Sequence, residues 1–422
     1  DIVIANPNSE SVPVVMTFLD AAGNTHPLNF TLAARQSRTV AVESEVPALA
    51  SADVSTIVTS PSGLPLVVER SLFWDATYYG GHTGNAVDGP KTTWYFGEGF
   101  QSTPVFDTFI LLANANPVPA TVTLTFLRQG GTPVTITKDV GATSRANFWA
   151  AELPGELNGR SFSTVVTSTI PIIAERAMYF GTPFFSGGHE SAGVSAPATN
   201  WFHPEGRTGP FFDTYILIGN PGATDAHVTV RFLRANDSPI TTTLTVGAQS
   251  RETVYVDAIP GLPDNDVSTE VTSDVPVISE RAMYWPGDYA QWYEAHNSFG
   301  VTTTGVAWGL AEGRFGFAQG FETYILLTNP TSTPTRLRVT FLRQDGRPAI
   351  IDETQVLGAN SRANVDMSAL LTSPDYNASG ERFGTIIESL DNVGIAVERA
   401  LYFSTGGVFW SGGTNATAVK IR

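Results

Sequence analysis

The 422-residue chain has no cysteine, an absence that removes disulfides, thiolate metal sites and thiol nucleophiles together. Lysine is nearly missing too: Lys91, Lys138 and Lys420 are its whole complement, among 24 basic residues set against 40 acidic ones. The net charge is −16 and the cations are scattered without a run, so no basic patch offers itself to phosphates and nucleic acid is excluded as a partner. No apolar stretch approaches the ~18 residues of a membrane span. The opening DIVIANPNSE lacks the layout of a signal peptide, so a secreted protein is expected here in mature or trimmed form. Helical periodicity over ten or more residues is also lacking; AELPGEL and SALLTSP have room for a turn each. Charged residues are only 15% against 42% hydrophobic, which excludes a disordered tail and leaves material for a core.

What is present is repetition. Trp94, Trp201 and Trp308 open WYFGEG, WFHPEG and WGLAEG at a constant spacing of 107 residues. Asn-Pro follows at Asn6-Pro7, Asn116-Pro117, Asn220-Pro221 and Asn329-Pro330, then Phe-Leu at Phe18, Phe126, Phe232 and Phe341. Ser-Arg recurs at Ser37-Arg38, Ser144-Arg145, Ser250-Arg251 and Ser361-Arg362, and Glu-Arg at Glu69-Arg70, Glu175-Arg176, Glu280-Arg281 and Glu398-Arg399. Length alone suggests about three domains at ~150 residues each, but landmarks in one fixed order give four copies. The modules are placed at residues 1–93, 94–200, 201–307 and 308–422, the first without its N-terminal strand segment.

Within a copy the patterning is that of strands. In the third, TYILIGN, AHVTVRFLR, ITTTLTV, RETVYVDAI, VSTEVTS and VPVISERAMYW are rich in Val, Ile, Thr and Tyr, with turn chemistry between them. About seven short strands per copy read as an immunoglobulin-like β-sandwich, so the fold class expected is all-β, four tandem sandwich modules. A β-propeller is the competing repeat architecture. Because the piece missing before Asp1 does not reappear after Arg422, the expectation is an open, elongated array. The truncated first copy is then expected to be covered by preceding modules or by a strand from another chain's C-terminal ATAVKIR.

The combined motif of W-x-x-x-E-G, N-P, F-L-R, S-R and E-R-A-M-Y resembles a tandem module of large secreted or surface-exposed bacterial proteins, one without an assigned activity. The resemblance spans essentially all of the chain. It implies an extracellular repeat protein in a structural, adhesive or wall-associated role and carries over no catalytic residue. Asn29, Asn377 and Asn415 head glycosylation triplets, a weak sign of the same setting.

Two groups of residues are candidates for function. Alternation puts Glu175 and Arg176 on opposite faces of a strand, so one of them points inward and needs a partner. The Arg of the Ser-Arg motif is the expected partner, giving a structural ion-pair network of Glu69, Arg70, Glu175, Arg176, Glu280, Arg281, Glu398 and Arg399 with Arg38, Arg145, Arg251 and Arg362. The second group is the aromatic pair in the loop after each Glu-Arg strand: Tyr78-Tyr79, Phe184-Phe185, Trp292-Tyr293 and Phe409-Trp410. These are read as contact loops, packing on the neighbouring module, joining subunits or binding glycan.

The Trp landmarks are read as core plugs, and Glu98, Glu205, Glu312 with Asp107, Asp213 and Glu322 as turn stabilisers. His82, His189 and His296, one in each of the first three copies with Thr414 in the fourth, are read as loop histidines, since one imidazole per module lacks metal-ligand spacing. No catalytic residue, metal or cofactor is expected. The function expected is that of a non-enzymatic structural protein of a surface layer, stalk or filament, self-associating through module edges and aromatic tips. The alternatives are a glycan-binding adhesin or an accessory region of a secreted hydrolase.

Overall fold

In a computed structural model, which describes every residue except 21, 75–79, 182–184, 236, 288–291, 345, 347, 368–369 and 371–379, the chain is about 62% strand and 4% helix. The second module shows the plan. Val134–Val140, Ala120–Arg128, the first half of the long strand Arg160–Phe180, and the leading strand Lys91–Phe96 form one sheet. Ser144–Trp149, Phe106–Asn114, the second half of the same long strand, and Gly187–Ala192 form the other. Each module is thus a two-layer all-β sandwich; in the second and third one long strand serves both sheets, while in the first and fourth it is broken, into Val54–Thr59 and Val67–Phe73 and into Gly380–Ser389 and Ala396–Thr405. The sequence pattern suggests two short strands here, but Arg160–Phe180 and Ser268–Trp285 run unbroken through both sheets. The ladder shifts register at the crossover near Pro171, which has no N–H to give it.

The apolar landmarks fill the sandwich cores. Trp94, Trp201 and Trp308 are buried, and their Nε1 groups donate to the carbonyls of Ile172, Val277 and Ile395 at 2.8, 3.0 and 3.0 Å, tying the leading strand to the long strand in the second and third modules and to the link before Ala396–Thr405 in the fourth. Phe126, Phe232 and Phe341 lie beside them. The Asn landmark is a turn organiser: Asn6, Asn220 and Asn329 send Nδ2 to the carbonyls of Glu10, Thr224 and Thr333, all at 2.8 Å. In the second module this role belongs to Asn114, whose Nδ2 reaches Val118 O at 2.8 Å, and not to Asn116 of the Asn-Pro dipeptide.

The modules close into a ring, which corrects the expectation of an open, elongated array. The last strand of each module, Gly81–Asn85, Gly187–Ala192, Glu294–Phe299 and Val408–Thr417, packs against its counterparts on both sides, the fourth against the first. At that closing junction Ser37 Oγ donates to Leu342 O at 2.9 Å, Gln344 Nε2 to Thr39 Oγ1 at 2.9 Å and Asn85 Nδ2 to Thr417 O at 2.8 Å. Side chains close the circle, so no strand has to be shared between its ends. The propeller rejected on the chain ends is therefore the nearer likeness, since radial sheets place their innermost strands on a common axis.

The C-terminal strand Val419–Lys420 pairs with Ala307–Leu310 of its own module, as Val194 and Val301 pair with Tyr95 and Phe202. In the first module the strand Val54–Thr59 has one partner, Val12–Asp20, where the other modules pair the equivalent segment on both sides.

Candidate functional site

The Glu-Arg dipeptides meet around the axis. Both faces of each Glu-Arg strand are covered, one by the preceding module and one by the following, so Glu and Arg each point into a junction. Arg70 reaches Glu175 at 3.1 Å, Arg176 reaches Glu280 at 2.9 Å, Arg281 reaches Glu398 at 2.5 Å, and Arg399 reaches Glu69 at 3.1 Å. Each arginine pairs forward to the glutamate of the next module and the fourth returns to the first, giving a cyclic chain of ion pairs. The glutamates also accept backbone N–H groups from the Glu-Gly turn of the module behind: Gly97 and Glu98 at 2.9 and 2.8 Å for Glu280, Ala311 at 2.6 Å for Glu69, and Glu205 at 3.2 Å for Glu398.

The partner expected from the sequence, the Ser-Arg arginine, is absent from these pairs. Arg38 binds Glu45 at 2.6 Å, Arg145 binds Asp53 at 3.4 Å and Arg362 binds Asp266 at 3.2 Å. Arg251 is buried near Glu98, Glu252 and Glu280, and burial draws its guanidinium down to about 10. Three of the serines also cross between modules: Ser250 Oγ donates to Arg128 O and Ser361 Oγ to Arg234 O, each at 3.2 Å, and Ser37 to Leu342 O, whereas Ser144 donates to Gly141 O of its own module.

The Glu of the Glu-Gly turn supplies a second carboxylate to each arginine, a role the turn reading missed. Glu98 lies 3.3 Å from Arg176, Glu205 2.9 Å from Arg281 and Glu312 3.4 Å from Arg399. Tyr284 and Tyr402 of the following modules donate to Glu98 and Glu205 at 2.8 and 3.1 Å. At the closing junction Phe73 replaces that tyrosine and has no hydroxyl. There Ser71, where the other copies have Ala177, Ala282 and Ala400, donates to Glu312 at 2.6 Å, and Arg314 adds a guanidinium at 2.9 Å. Burial alone would raise Glu312; Arg314 and Arg399 overcome it and hold the carboxyl down at about 2.

The sequence given begins after the point where the first copy's Glu-Gly turn would fall, and Arg70 has two carboxylates, Glu175 and Glu190, both of the second module. Glu190 occupies a position that is Thr83, Asn297 and Asn415 in the other copies. Gly84 makes room for it, since a Cβ there would fall 2.4 Å from its Oε2. At every junction the Glu-Arg arginine therefore meets two glutamates, at three of them with the motif Glu and at one with a substitute.

The histidines sit on the innermost strands rather than in loops, and buried. His189 Nδ1 lies 3.3 Å from Arg176 and its Nε2 3.3 Å from Tyr284 Oη; His296 repeats this at 3.2 Å from Arg281 and 3.1 Å from Tyr402. Thr414 takes the place in the fourth module, accepting from Arg399 at 3.3 Å. Burial, reinforced by Arg70, holds His82 down at about 3, and burial with Arg176 holds His189 well below its ordinary value, so both are neutral.

On the axis itself stands Glu294, fully buried. Its carboxyl accepts N–H groups from Ala295 at 3.0 Å, Gly188 at 3.2 Å and, across the ring, Gly81 at 3.4 Å. The equivalent residues are Gly80, Gly187 and Gly412, and a Cβ on Gly80 would stand 3.0 Å from Glu294 Oε2. No cation is paired with it among the described residues, and burial pushes its carboxyl well up.

Of the aromatic pairs, Tyr78, Tyr79 and Phe184 lie outside the described residues. Trp292 stacks on Tyr284 at 4.3 Å and donates to Asp213 at 2.7 Å; Trp410 stacks on Tyr402 at 4.4 Å and donates to Glu322 at 3.3 Å. Tyr293 Oη donates to Phe409 O at 3.0 Å, joining the third and fourth loops. Phe409 is 60% exposed and stacks on Trp410 at 4.6 Å; Phe185 is also exposed. Of the glycosylation triplets, Asn377 lies outside the described residues and Asn415 is buried on Glu398 at 2.8 Å. Among the described residues no group of His, Cys, Asp and Glu side chains is arranged to hold a metal, and no helix is long and apolar enough to cross a membrane.

No family model and no curated protein matches the chain. Among solved structures it is similar to Thermotoga maritima 1070, at 19% identity and TM-score 0.23 over 25% of this chain and 94% of that one. It is also similar to the Anabaena sensory rhodopsin transducer, at 28% identity and TM-score 0.18 over 21% of this chain and 98% of that one. A tetra-tandem repeat from the extending region of a large adhesion protein aligns over 98% of this chain and 93% of its own, at 12% identity and TM-score 0.12.

Proposed function

We propose that the chain is a non-enzymatic structural or adhesive unit of the cell exterior, a rigid four-module ring that holds a set of aromatic loop tips. The observation that carries this reading is the cyclic ion-pair chain. Its arginines and carboxylates are occupied with one another across all four junctions, so the charged centre ties modules together and offers no nucleophile or base to a substrate. The exterior setting rests on the resemblance of the repeated motif to tandem modules of secreted and surface-exposed bacterial proteins. Self-association uses the free outer edges of the sandwiches, such as Val134–Val140 and Ile240–Val246, together with the tips.

A glycan-binding role is favoured by one arrangement, the exposed Phe409 lying flat on Trp410 with a 21° angle between the rings, a face on which a sugar ring stacks. The test is Phe409→Ser in the full chain, read by electron microscopy of assembly and by binding to a polysaccharide panel. Loss of ordered assembly supports the structural reading, and loss of glycan binding with assembly intact supports the adhesive one. No change in either removes the tips from both. Protease treatment of intact cells tests the location: a chain protected until lysis refutes an exterior setting.

A further inference from the structure

Among the described residues, the strand Val54–Thr59 of the first module has one backbone edge that no strand covers. In the other three modules the leading strand runs along that edge and sets its tryptophan opposite Val166, Val271 and Ile387, which are fully buried. Val58 is their equivalent, and it is only partly buried, as are Val54 and Thr56 beside it. Leu66 O occupies the position from which Ile172 O, Val277 O and Ile395 O accept the tryptophan Nε1–H.

A second wall faces this edge. Tyr95 and Phe202 of the leading strands donate to Val194 O and Val301 O at 2.8 Å each and accept from the same two residues, while Trp94, Phe96 and Trp201 pair with the long strands. Val87 is the equivalent of Val194 and Val301, and among the described residues no strand pairs with it. The groove therefore has both of the backbone walls that hold a leading strand elsewhere. Its far end shows the same difference. Glu280, Glu398 and Glu69 accept N–H groups from the turn after a leading strand and are at most 1% exposed. Glu175 accepts none among the described residues and is 24% exposed, and its partner Arg70 is 33% exposed where Arg176, Arg281 and Arg399 are at 0%.

We propose that this groove binds an extended segment of a further copy of the repeat, added as an antiparallel strand between Val54–Thr59 and Val87. Its tryptophan covers Val58 and donates to Leu66 O, and the turn that follows gives N–H groups to Glu175, in the register that the other three modules show. Main-chain bonds to two edges supply affinity, and the position over Val58 selects a segment that carries a large aromatic side chain. Arg70 already meets Glu175 and Glu190, so a third carboxylate would be in excess and the turn residue is neutral where the other copies have Glu98, Glu205 and Glu312. This contact uses neither the outer edges nor the aromatic tips through which self-association is proposed, and it stands without them.

The probe is a fluorescein-labelled peptide of residues 91–101 carrying Glu98→Gln, titrated with the full chain and read by fluorescence anisotropy. Saturable binding at one peptide per chain is expected. Trp94→Ala in the peptide is expected to weaken it about thirtyfold or more, the loss typical of a buried tryptophan anchor. Phe96→Pro in the peptide removes an N–H on the side that pairs with the long strand, and is expected to weaken binding about tenfold or more. Both changes lie in the peptide, so the chain and its fold are untouched. A benzophenone side chain in place of Trp94 is expected to crosslink within residues 54–66, as read by mass spectrometry. The proposal is overturned if the peptide shows no saturable binding, if the Trp94→Ala or Phe96→Pro peptide binds equally well, or if the crosslinks fall on the second, third or fourth module.

Discussion

Glu280 is the residue on which the second junction turns, and replacing it with glutamine measures what a junction contributes. Its Oε1 holds Arg176, and its Oε2 holds the N–H groups of Gly97 and Glu98. All of this lies out of water, where breaking a buried pair typically costs about 3–5 kcal/mol. Glu98, at 3.3 Å, remains with Arg176 and keeps the guanidinium from being stranded, so the lower end, about 3 kcal/mol, is expected. The interaction crosses between modules, so the full chain must be used; a lone third module has no Arg176 to lose. Urea unfolding of Glu280→Gln followed by tryptophan fluorescence should show a midpoint lowered in proportion, with an unchanged slope. An unchanged midpoint would show that Glu280 is solvated and that the cyclic chain of ion pairs does not hold the ring.

Three further outcomes follow from the same geometry. Glu190→Thr, which installs the residue of the first module at that position, should destabilise by about 1–2 kcal/mol in thermal or urea unfolding, less than Glu280→Gln because Arg70 is a third exposed; a neutral result refutes its role as the substitute carboxylate. Glu294 is protonated in the fold and ionised in the unfolded chain above about pH 4.5, so wild-type stability from this residue is present at low pH and declines by up to about 1.4 kcal/mol per unit as pH rises. Glu294→Gln should therefore gain on wild type between pH 5 and pH 8, as read by melting temperature, and equal differences at both pH values would contradict a buried neutral acid. Small-angle scattering should give a radius of gyration of about 22 Å, the value for a chain of this length packed as one body, and a rod-like distance distribution would exclude the closed ring.

Much of the single module was legible in the sequence. The Trp and Phe landmarks are core residues, the alternating Val and Thr runs are strands, and the turns fall at the Asn, Gly and Pro clusters. The ring was not, for a physical reason. Its bonds join residues about one module apart, or 330 positions apart for Arg399 and Glu69, and strand alternation says that a charge points inward without saying toward which module. A reading confined to one copy could only offer the Ser-Arg arginine as partner. The usable signal lay in the exceptions: Glu190 among Thr and Asn, Ser71 beside a phenylalanine that replaces tyrosine, and Glu294 among glycines. Each marks a place where the copies touch and where one copy's change is answered by another's.

The axis also bears on why four copies in one chain are not equivalent to four identical chains. A rotation axis multiplies whatever stands on it, so four identical subunits would place either no carboxyl group there or four. Four glutamates would collide, and four glycines would leave backbone N–H groups converging on an empty space. A covalent tandem is released from that arithmetic. It sets one side chain at the centre, lets three glycines yield to it, and gives a ring of near-equal parts a distinguishable direction from which every other position in the circle can be counted.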